Sequence, residues 1–301
     1  GRASTSSCGG PPFGRLYLVD EEGQATKDEV ILIGNVPVED IQKQVDTYYF
    51  AENDSARQRQ YGAYCRQDDM LRMAGCQFEG TIEVVTRDEA GAEKRQTCRF
   101  IPGDIRFMYY GGSPPYVAKH RMLGDVFYID LKTLREGAEV TSVATAIKKA
   151  IGKGTTKFII DVRGNIGGNS NVGQELLAAM GMTPPSYGLY IRNSDLSRKL
   201  RGGSASQKVA YFEPNPSAAK RNDDIDLVVL TDMVTFSSAT ILGVWVQDGD
   251  LGIIVGQPSM NAPTHYGDMQ RVHLPISDMD LQISCKKFLR PDVNADQDTL
   301  Q

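Results

Sequence analysis

The chain has 301 residues, of which 41% are hydrophobic and 24% are charged, and its formal net charge at pH 7 is −5. This length suits one large domain or two moderate ones, and the composition is that of a globular protein and excludes a wholly disordered chain. A mildly acidic chain without a basic block argues against nucleic acid or an anionic membrane surface as its main partner, and no apolar run approaches the roughly 20 residues of a membrane-spanning helix.

The first hundred residues predict a small α+β module. Residues 1–14 are rich in Gly, Ser and Pro and predict a flexible N-terminus. From residue 15 to residue 102, the hydrophobic pattern predicts two strands, two helices and then a hairpin across an acidic turn. The predicted elements are strands Arg15–Asp20 and Glu29–Gly34, helices Val38–Tyr49 and Asp54–Ala74, and strands Thr81–Arg87 and Lys94–Phe100.

After residues 103–124, a connector rich in Gly, Pro and Tyr, the chain changes character. From residue 125 to residue 291, strands alternate with helices, which is the pattern of an α/β core. The predicted elements are strand Val126–Leu131, helix Val140–Ile151, strand Lys157–Val162, helix Val172–Met180, strand Leu227–Asp232, helix Ser238–Val246, strand Gly252–Gly256 and alternating strands from Met269 to Phe288. Within this core, residues 183–222 are polar and predict an insertion or lid, and residues 292–301 form a predicted C-terminal tail.

Cysteine and histidine usage gives no sign of a metal site. The five cysteines are an odd number and include no Cys-x-x-Cys pair, so neither a zinc site nor a disulfide framework is indicated. Only three histidines are present, which argues against a histidine-rich metal centre. We therefore expect no metal and no organic cofactor.

Two strand-to-helix junctions are candidates for chemistry. Residues 161–169 are rich in glycine, so the backbone can turn sharply and present N–H groups to a negative oxygen beside a helix N-terminus. A plain turn in which Asn169 or Asn171 caps the helix explains the same residues equally well. The glycine spacing fits neither a dinucleotide fingerprint nor a phosphate loop. Residues 235–240 place two serines at a helix start, where a hydroxyl either caps the helix or acts as a nucleophile beside an oxyanion site.

Four segments resemble the tail-specific, or C-terminal processing, serine peptidases. Residues 161–168 (Asp-Val-Arg-Gly-Asn-Ile-Gly-Gly) are similar to the family's Asp-Leu-Arg-x-Asn-x-Gly-Gly segment, and residues 235–239 (Thr-Phe-Ser-Ser-Ala) resemble its nucleophile segment. Residues 255–259 (Val-Gly-Gln-Pro-Ser) resemble its Val-Gly-Glu-Pro-Thr. Residues 263–267 (Pro-Thr-His-Tyr-Gly) resemble the Lys-Pro-Asn-His-Tyr-Gly of a bacterial branch. The order and spacing agree from Gly124 to Pro291.

The resemblance implies an α/β fold with a crotonase/Clp-like peptidase core, preceded by a small α+β PDZ-like module. Residues 33–41 (Ile-Gly-Asn-Val-Pro-Val-Glu-Asp-Ile) carry the PDZ-like likeness, which is looser than the likeness of the core. The family resemblance further implies that the substrate is an unstructured polypeptide or a C-terminus and that nucleic acid is not a partner. It also implies an extracytoplasmic or secreted location in a bacterium, although the chain shows no signal peptide.

The resemblance also implies roles for individual residues. Ser237 would be the nucleophile, and Ser238 is the alternative if the segment is shifted by one residue. The oxyanion hole would combine the backbone N–H of Ser238 with that of Gly167 or Gly168. The residues implied in substrate binding are Gly164, Asn165 and His265.

The general base of the family is missing from its expected position. A lysine follows the nucleophile by 25 residues in the family, and that position is Ala262 here, whose methyl group cannot accept a proton. Ala262 is explained by an engineered Lys→Ala change, or by natural divergence into a non-catalytic peptide binder, since the branch's Gly-Gly before the lysine is Met260-Asn261 here. A third explanation is a histidine base, as in relatives with Ser-His-Glu arrangements. His265 and His120 are weak candidates, so that base would lie on an upstream segment.

An acyl-coenzyme A enzyme of crotonase type is a further class to weigh, because it also uses two backbone N–H groups as an oxyanion hole. Such an enzyme needs acidic catalytic residues beside the glycines. Only Asp161 is close to them in the sequence, so the peptidase interpretation is favoured.

Overall fold

The computed structural model describes residues 2–3, 14–19, 25–100, 114–201 and 208–300. The chain divides into two compact units, residues 1–113 and residues 114–301. Most of the predicted flexible N-terminus and half of the predicted connector lie outside the described residues. Among the helices of the described ranges, none has both the length and the apolar character that crossing a membrane requires.

In its described residues, the first unit combines one antiparallel sheet with three helices. Its elements are β1 (Arg2–Ala3), β2 (Leu16–Val19), β3 (Ala25–Ile33), β4 (Val36–Pro37), α1 (Val38–Tyr48), α2 (Asp54–Tyr64), α3 (Asp68–Met73), β5 (Thr81–Arg87) and β6 (Glu93–Arg99). The strands lie in the order β1-β2-β3-β5-β6, and β4 pairs with β3. Ile41 and Val45 of α1 are fully buried in its core. The PDZ-like character of this unit stays a prediction.

One predicted helix of the first unit is divided in the structure. The pattern over Asp54–Ala74 predicts a single helix, but α2 ends at Tyr64 and α3 begins at Asp68. Gln67 has an extended backbone (ψ 136°), which interrupts the helical hydrogen bonds between them. Asn53 begins α2 by accepting the N–H of Ala56 with its side chain, as an N-cap should.

The second unit contains a five-stranded sheet covered by helices. Its elements are β7 (Ala118–Leu123), β8 (Val126–Leu131), α4 (Ala138–Ile151), β9 (Lys157–Asp161), α5 (Asn171–Ala179), β12 (Asp226–Thr231), α7 (Ser238–Asp248) and β13 (Ile253–Gly256). The strand order is β13-β12-β9-β8-β7. The four strands β8, β9, β12 and β13 are parallel to one another. Since β9 and β12 are parallel neighbours, the loops after them leave the same edge of the sheet.

A smaller antiparallel sheet completes the second unit. It is formed by β10 (Gly188–Arg192), β11 (Val209–Phe212), β14 (His265–Leu274) and β15 (Met279–Leu289), with α6 (Asp195–Arg201) between its first two strands. The order is β11-β10-β15-β14. Residues 183–222, predicted as an insertion outside the core, thus supply two strands to this sheet.

Two other boundaries differ from the sequence-based division. The connector predicted over residues 103–124 extends too far, because Ala118–Leu123 pairs along its whole length with β8. The predicted tail, residues 292–301, packs on the core: Leu300 is fully buried and its side chain lies against Gly243 of α7. The guanidinium of Arg290 also binds the Asp248 carboxylate, with a shortest N···O distance of 2.7 Å.

Candidate active site

The two junctions selected from the sequence touch each other at the carboxyl edge of the parallel sheet. The N–H of Phe236 donates to the carbonyl oxygen of Asn165 at 3.0 Å. The hydroxyl of Ser238 donates to the carbonyl oxygen of Gly168 at 2.7 Å. The loop after β9 and the loop after β12 therefore form one continuous surface, as expected for the ends of adjacent parallel strands.

Ser237 lies immediately before α7 in a backbone conformation that serine rarely adopts, with φ 56° and ψ −124°. Its N–H donates to the side-chain oxygen of Asn261 at 2.7 Å. The residue is partly exposed, and no partner of its hydroxyl is found within the described ranges. Backbone strain of this kind is concentrated at functional sites, and the positive end of α7 lies directly beside the hydroxyl.

Ser238, the alternative nucleophile, has a different environment. Only 6% of the residue is exposed, and its hydroxyl is already engaged with the carbonyl of Gly168. A buried hydroxyl that holds two loops together is poorly placed to attack a substrate. The geometry therefore favours Ser237 as the nucleophile.

The amides beside Ser237 separate the two glycines that the sequence left as alternatives. The N–H of Gly167 donates to the side-chain oxygen of Asn165 at 2.8 Å, so it is not available to a substrate. Within the part of the chain that the structure describes, the N–H groups of Gly168 and Ser238 have no acceptor. These two amides are the candidate oxyanion donors. At Gly168 (φ +140°) a Cβ would lie 2.2 Å from the Leu134 carbonyl oxygen, so only glycine fits.

Gly164 and Asn165, predicted to bind substrate, have polar groups that support the turn. Asn165 is fully buried, and its side-chain N–H donates to the Leu131 carbonyl at 2.8 Å while its side-chain oxygen accepts from Gly167. The N–H of Gly164 donates to both carboxylate oxygens of Asp232, at 3.0 and 3.1 Å. The Gly164 N–H and the Asn165 side chain are thus directed to the protein, and substrate binding by the two residues stays a prediction.

His265, also predicted to bind substrate, is buried. Its Nδ1 is 3.0 Å from the Pro263 carbonyl oxygen, and its ring stacks on Phe288 with a centroid distance of 5.1 Å. Burial lowers the pKa of His265 below its ordinary value, which keeps the ring neutral. These contacts describe a structural histidine at the start of β14. A group of three metal-binding side chains is likewise not found in the described ranges.

His120 also lacks the placement of a catalytic base for Ser237. It lies on β7, which is the edge strand of the sheet and is separated from β12 by β8 and β9. Its exposed ring stacks on Phe127 at a centroid distance of 5.2 Å. These contacts describe a structural role for His120.

Asn261 is a site residue that sequence reasoning did not assign. Its side chain is buried, and its oxygen accepts both the Ser237 N–H at 2.7 Å and the Thr240 hydroxyl at 2.8 Å. Its side-chain N–H donates to the carbonyl oxygen of Ala262 at 2.9 Å. Asn261 thus joins the nucleophile turn to the position where the family carries its base. The signal in the sequence was the replacement of Gly-Gly by Met260-Asn261 in the branch motif.

Asp161 anchors the start of the glycine-rich turn. Its carboxylate, almost fully buried, accepts from the Tyr128 hydroxyl at 2.5 Å and from the Arg163 guanidinium at 2.6 and 2.9 Å. Burial alone would raise the pKa of Asp161, but the hydrogen bonds from Arg163 and Tyr128 hold it below its ordinary value. An anion held in this way is not a free acid or base, which weakens the acyl-coenzyme A interpretation.

Comparisons with known proteins concern the family and the fold. Residues 125–297 match the model of peptidase family S41. The structure of mature CPAF is 14% identical with a TM-score of 0.56, over 99% of this chain and 75% of that chain. CPAF complexed with lactacystin is 14% identical with a TM-score of 0.57, over 96% of this chain and 74% of that chain. The photosystem II D1 C-terminal processing protease is 12% identical with a TM-score of 0.43, over 96% of this chain and 67% of that chain. No match was found among curated proteins.

Proposed function

Because the chain belongs to peptidase family S41, we propose that it is a serine peptidase of the C-terminal processing type whose nucleophile is Ser237. The observation that carries the proposal is the arrangement of Ser237 in its strained turn, with the unengaged amides of Gly168 and Ser238 beside it. The family match covers the segment that holds all of these residues.

The proposed reaction is acyl transfer. The hydroxyl oxygen of Ser237 attacks the carbonyl carbon of a peptide bond, and the carbonyl oxygen becomes an anion that accepts the N–H groups of Gly168 and Ser238. Removing one such donor typically lowers the rate by about 10²–10³-fold. The C–N bond then breaks, the released amine takes the proton of the serine, and water hydrolyses the acyl-enzyme ester.

The proposed substrate is an unstructured polypeptide segment or C-terminus. An extended chain can add to a sheet edge and satisfy its main-chain hydrogen bonds there. β13 is an edge strand of the five-stranded sheet and is the neighbour of β12, after which Ser237 follows. The PDZ-like role of the first unit and an extracytoplasmic location remain predictions that this proposal includes.

At position 262, this chain lacks the lysine that would accept the proton of the serine. A serine peptidase without its base keeps only about 10³–10⁴-fold acceleration over water. We therefore expect the chain with Ala262 to bind polypeptides and to turn them over very slowly. A second candidate function is that of a non-catalytic peptide binder that arose by natural divergence. The buried contacts of Asn261 with Ser237 and Thr240 fit this function.

The test is the variant Ala262→Lys, assayed on several unfolded proteins. The proposal expects cleavage by this variant and an acyl-enzyme on Ser237 detectable by mass spectrometry. A further Ser237→Ala change should abolish both. Ala262→Met is the matched control, because it adds a side chain of similar length without an amine. A folded Ala262→Lys protein that cleaves none of the substrates contradicts the lysine-dependent peptidase, whereas peptide binding without turnover supports the non-catalytic binder.

A further inference from the structure

A cavity of about 510 Å³ lies beside the candidate nucleophile, within the second unit. Its walls come from α5, from the segment that leads into β10, from α7 and from Phe288 of β15. The volume is in the range of about 300–1,000 Å³ that is usual for ligand sites. At its mouth, Gln174, Ala178 and Ser186 are exposed, so the cavity opens to solvent.

The position of the cavity follows from the spacing of residues along α7. Ile241 and Trp245 both line it, four and eight residues after Ser237. Residues four apart share a helix face and are separated by roughly 6 Å along the axis. The cavity therefore begins about one helical turn from Ser237 and extends along the face of α7 that carries Ile241 and Trp245.

Two further contacts place the cavity at the same site. Ser170, another lining residue, follows the proposed oxyanion donor Gly168 by two positions. The hydroxyl of Tyr187, also in the lining, donates to the carbonyl oxygen of Pro263 at 3.3 Å, next to Ala262. The cavity is thus lined by residues that directly follow the nucleophile segment and the glycine turn, Ile241 and Ser170, and Tyr187 joins its wall to the 262–263 loop.

The chemistry of the lining is neutral. Proline, isoleucine, tryptophan, phenylalanine, methionine and leucine side chains form most of it, and the polar residues among the described lining are uncharged. Trp245 is 4% exposed, and within the described residues its indole Nε1–H has no hydrogen-bond partner. Because this nitrogen is inaccessible, Trp245 offers the cavity the apolar part of its ring.

We propose that this cavity is the specificity pocket for the substrate residue that precedes the scissile bond, and that it takes bulky uncharged side chains. This assignment rests on the proposed function, because it concerns the substrate of that same site. Charged side chains are excluded since no lining group would pair with them.

Trp245 supplies the test, because it is the single tryptophan of the chain. Its fluorescence is followed while the full chain is titrated with acetyl-Ala-Ala-Xaa-amide peptides in which Xaa is Tyr, Phe, Leu, Asp or Lys. We expect saturable emission changes with the three neutral peptides, and affinity lower by roughly 100-fold for the charged ones. Equal binding of neutral and charged peptides, or no change with any, overturns the proposal.

A pair of helix variants supplies the control. Ala178→Leu adds bulk at the cavity mouth in an exposed helical position and should weaken the Phe peptide roughly tenfold. Ser142→Leu makes a similar change on the exposed face of α4, outside the cavity, and should leave binding unchanged. Equal effects of the two variants contradict the assignment.

Cleavage by Ala262→Lys separates this inference from the proposed function. Binding needs no turnover, so a pocket that discriminates peptides in an inert enzyme refutes the peptidase activity and leaves the pocket standing. Cleavage after residues of every class, charged ones included, refutes the pocket and leaves the peptidase activity standing. Cleavage after neutral bulky residues supports both.

Discussion

A methyl group at position 167 would collide with the backbone of the nucleophile segment. Gly167 has φ +98°, and a Cβ built there lies 2.8 Å from the Phe236 carbonyl oxygen and from the Ser237 Cβ, and 2.9 Å from the Ser238 nitrogen. These are backbone and near-backbone atoms held by α7, so they cannot move aside cheaply. Gly167→Ala should therefore destabilise the second unit.

The magnitude follows from two separate effects. An L-residue in the left-handed region costs roughly 1–2 kcal/mol. Overpacking adds about 1–3 kcal/mol where the new atoms have no room. Gly164 is a matched control in the same turn, because its φ is +73° but a Cβ there meets nothing within 4 Å. Gly164→Ala thus carries only the conformational cost, and Gly167→Ala should exceed it by about 1–3 kcal/mol.

Urea unfolding followed by Trp245 fluorescence measures both variants, since Trp245 lies in the second unit and reports its unfolding. The slope of free energy against urea should stay the same and the midpoints should shift. If the losses of unfolding free energy in Gly167→Ala and Gly164→Ala differ by less than about 0.5 kcal/mol, the close packing of the two loops described above is refuted.

Three further outcomes are expected from single substitutions. Asn261→Ala leaves the Ser237 N–H without its acceptor and should cost about 1–3 kcal/mol in urea unfolding; an unchanged midpoint contradicts the role given to Asn261. Burial lowers the pKa of His265 below its ordinary value of 6.5, so the unfolded chain binds a proton that the folded chain excludes, and stability should fall as the pH drops below 6.5. His265→Gln should flatten that part of the melting-temperature profile, and an unaltered profile shows that other groups cause it. Arg290→Met strands the Asp248 carboxylate, whose side chain is 2% exposed, and should cost about 3–5 kcal/mol in urea unfolding; a cost under about 1 kcal/mol argues against the buried ion pair.

The parallel sheet was largely predictable because its strands are continuous apolar runs. The strand predicted over Val126–Leu131 is confirmed without change, and the strand predicted at Lys157–Val162 ends one residue earlier. Glycine-rich and serine-rich junctions after such strands pointed to one edge of the sheet, and the two loops do meet there. Hydrophobic period and chain order thus carried the core and the general position of the site.

The finer features depend on contacts that no local pattern encodes. Asn261 reaches Ser237 across 24 residues, and an asparagine side chain can bond with almost any neighbouring polar group. The commitment of the Gly167 amide to Asn165, which leaves Gly168 as the candidate donor, also depends on the exact path of one turn. The strands within residues 183–222 were missed because β10, with which β11 pairs, is joined to the rest of its sheet by β15, which lies far away in the sequence.

The backbone of Ser237 has a consequence for anyone who improves this protein by random mutation. With φ 56° and ψ −124°, the residue occupies a conformation that glycine adopts freely and that costs other residues on the order of 1–3 kcal/mol. A library screened for heat resistance alone would therefore reward glycine at position 237 and discard the hydroxyl. Any thermostabilised descendant should be sequenced at this codon before its loss of function is blamed on rigidity.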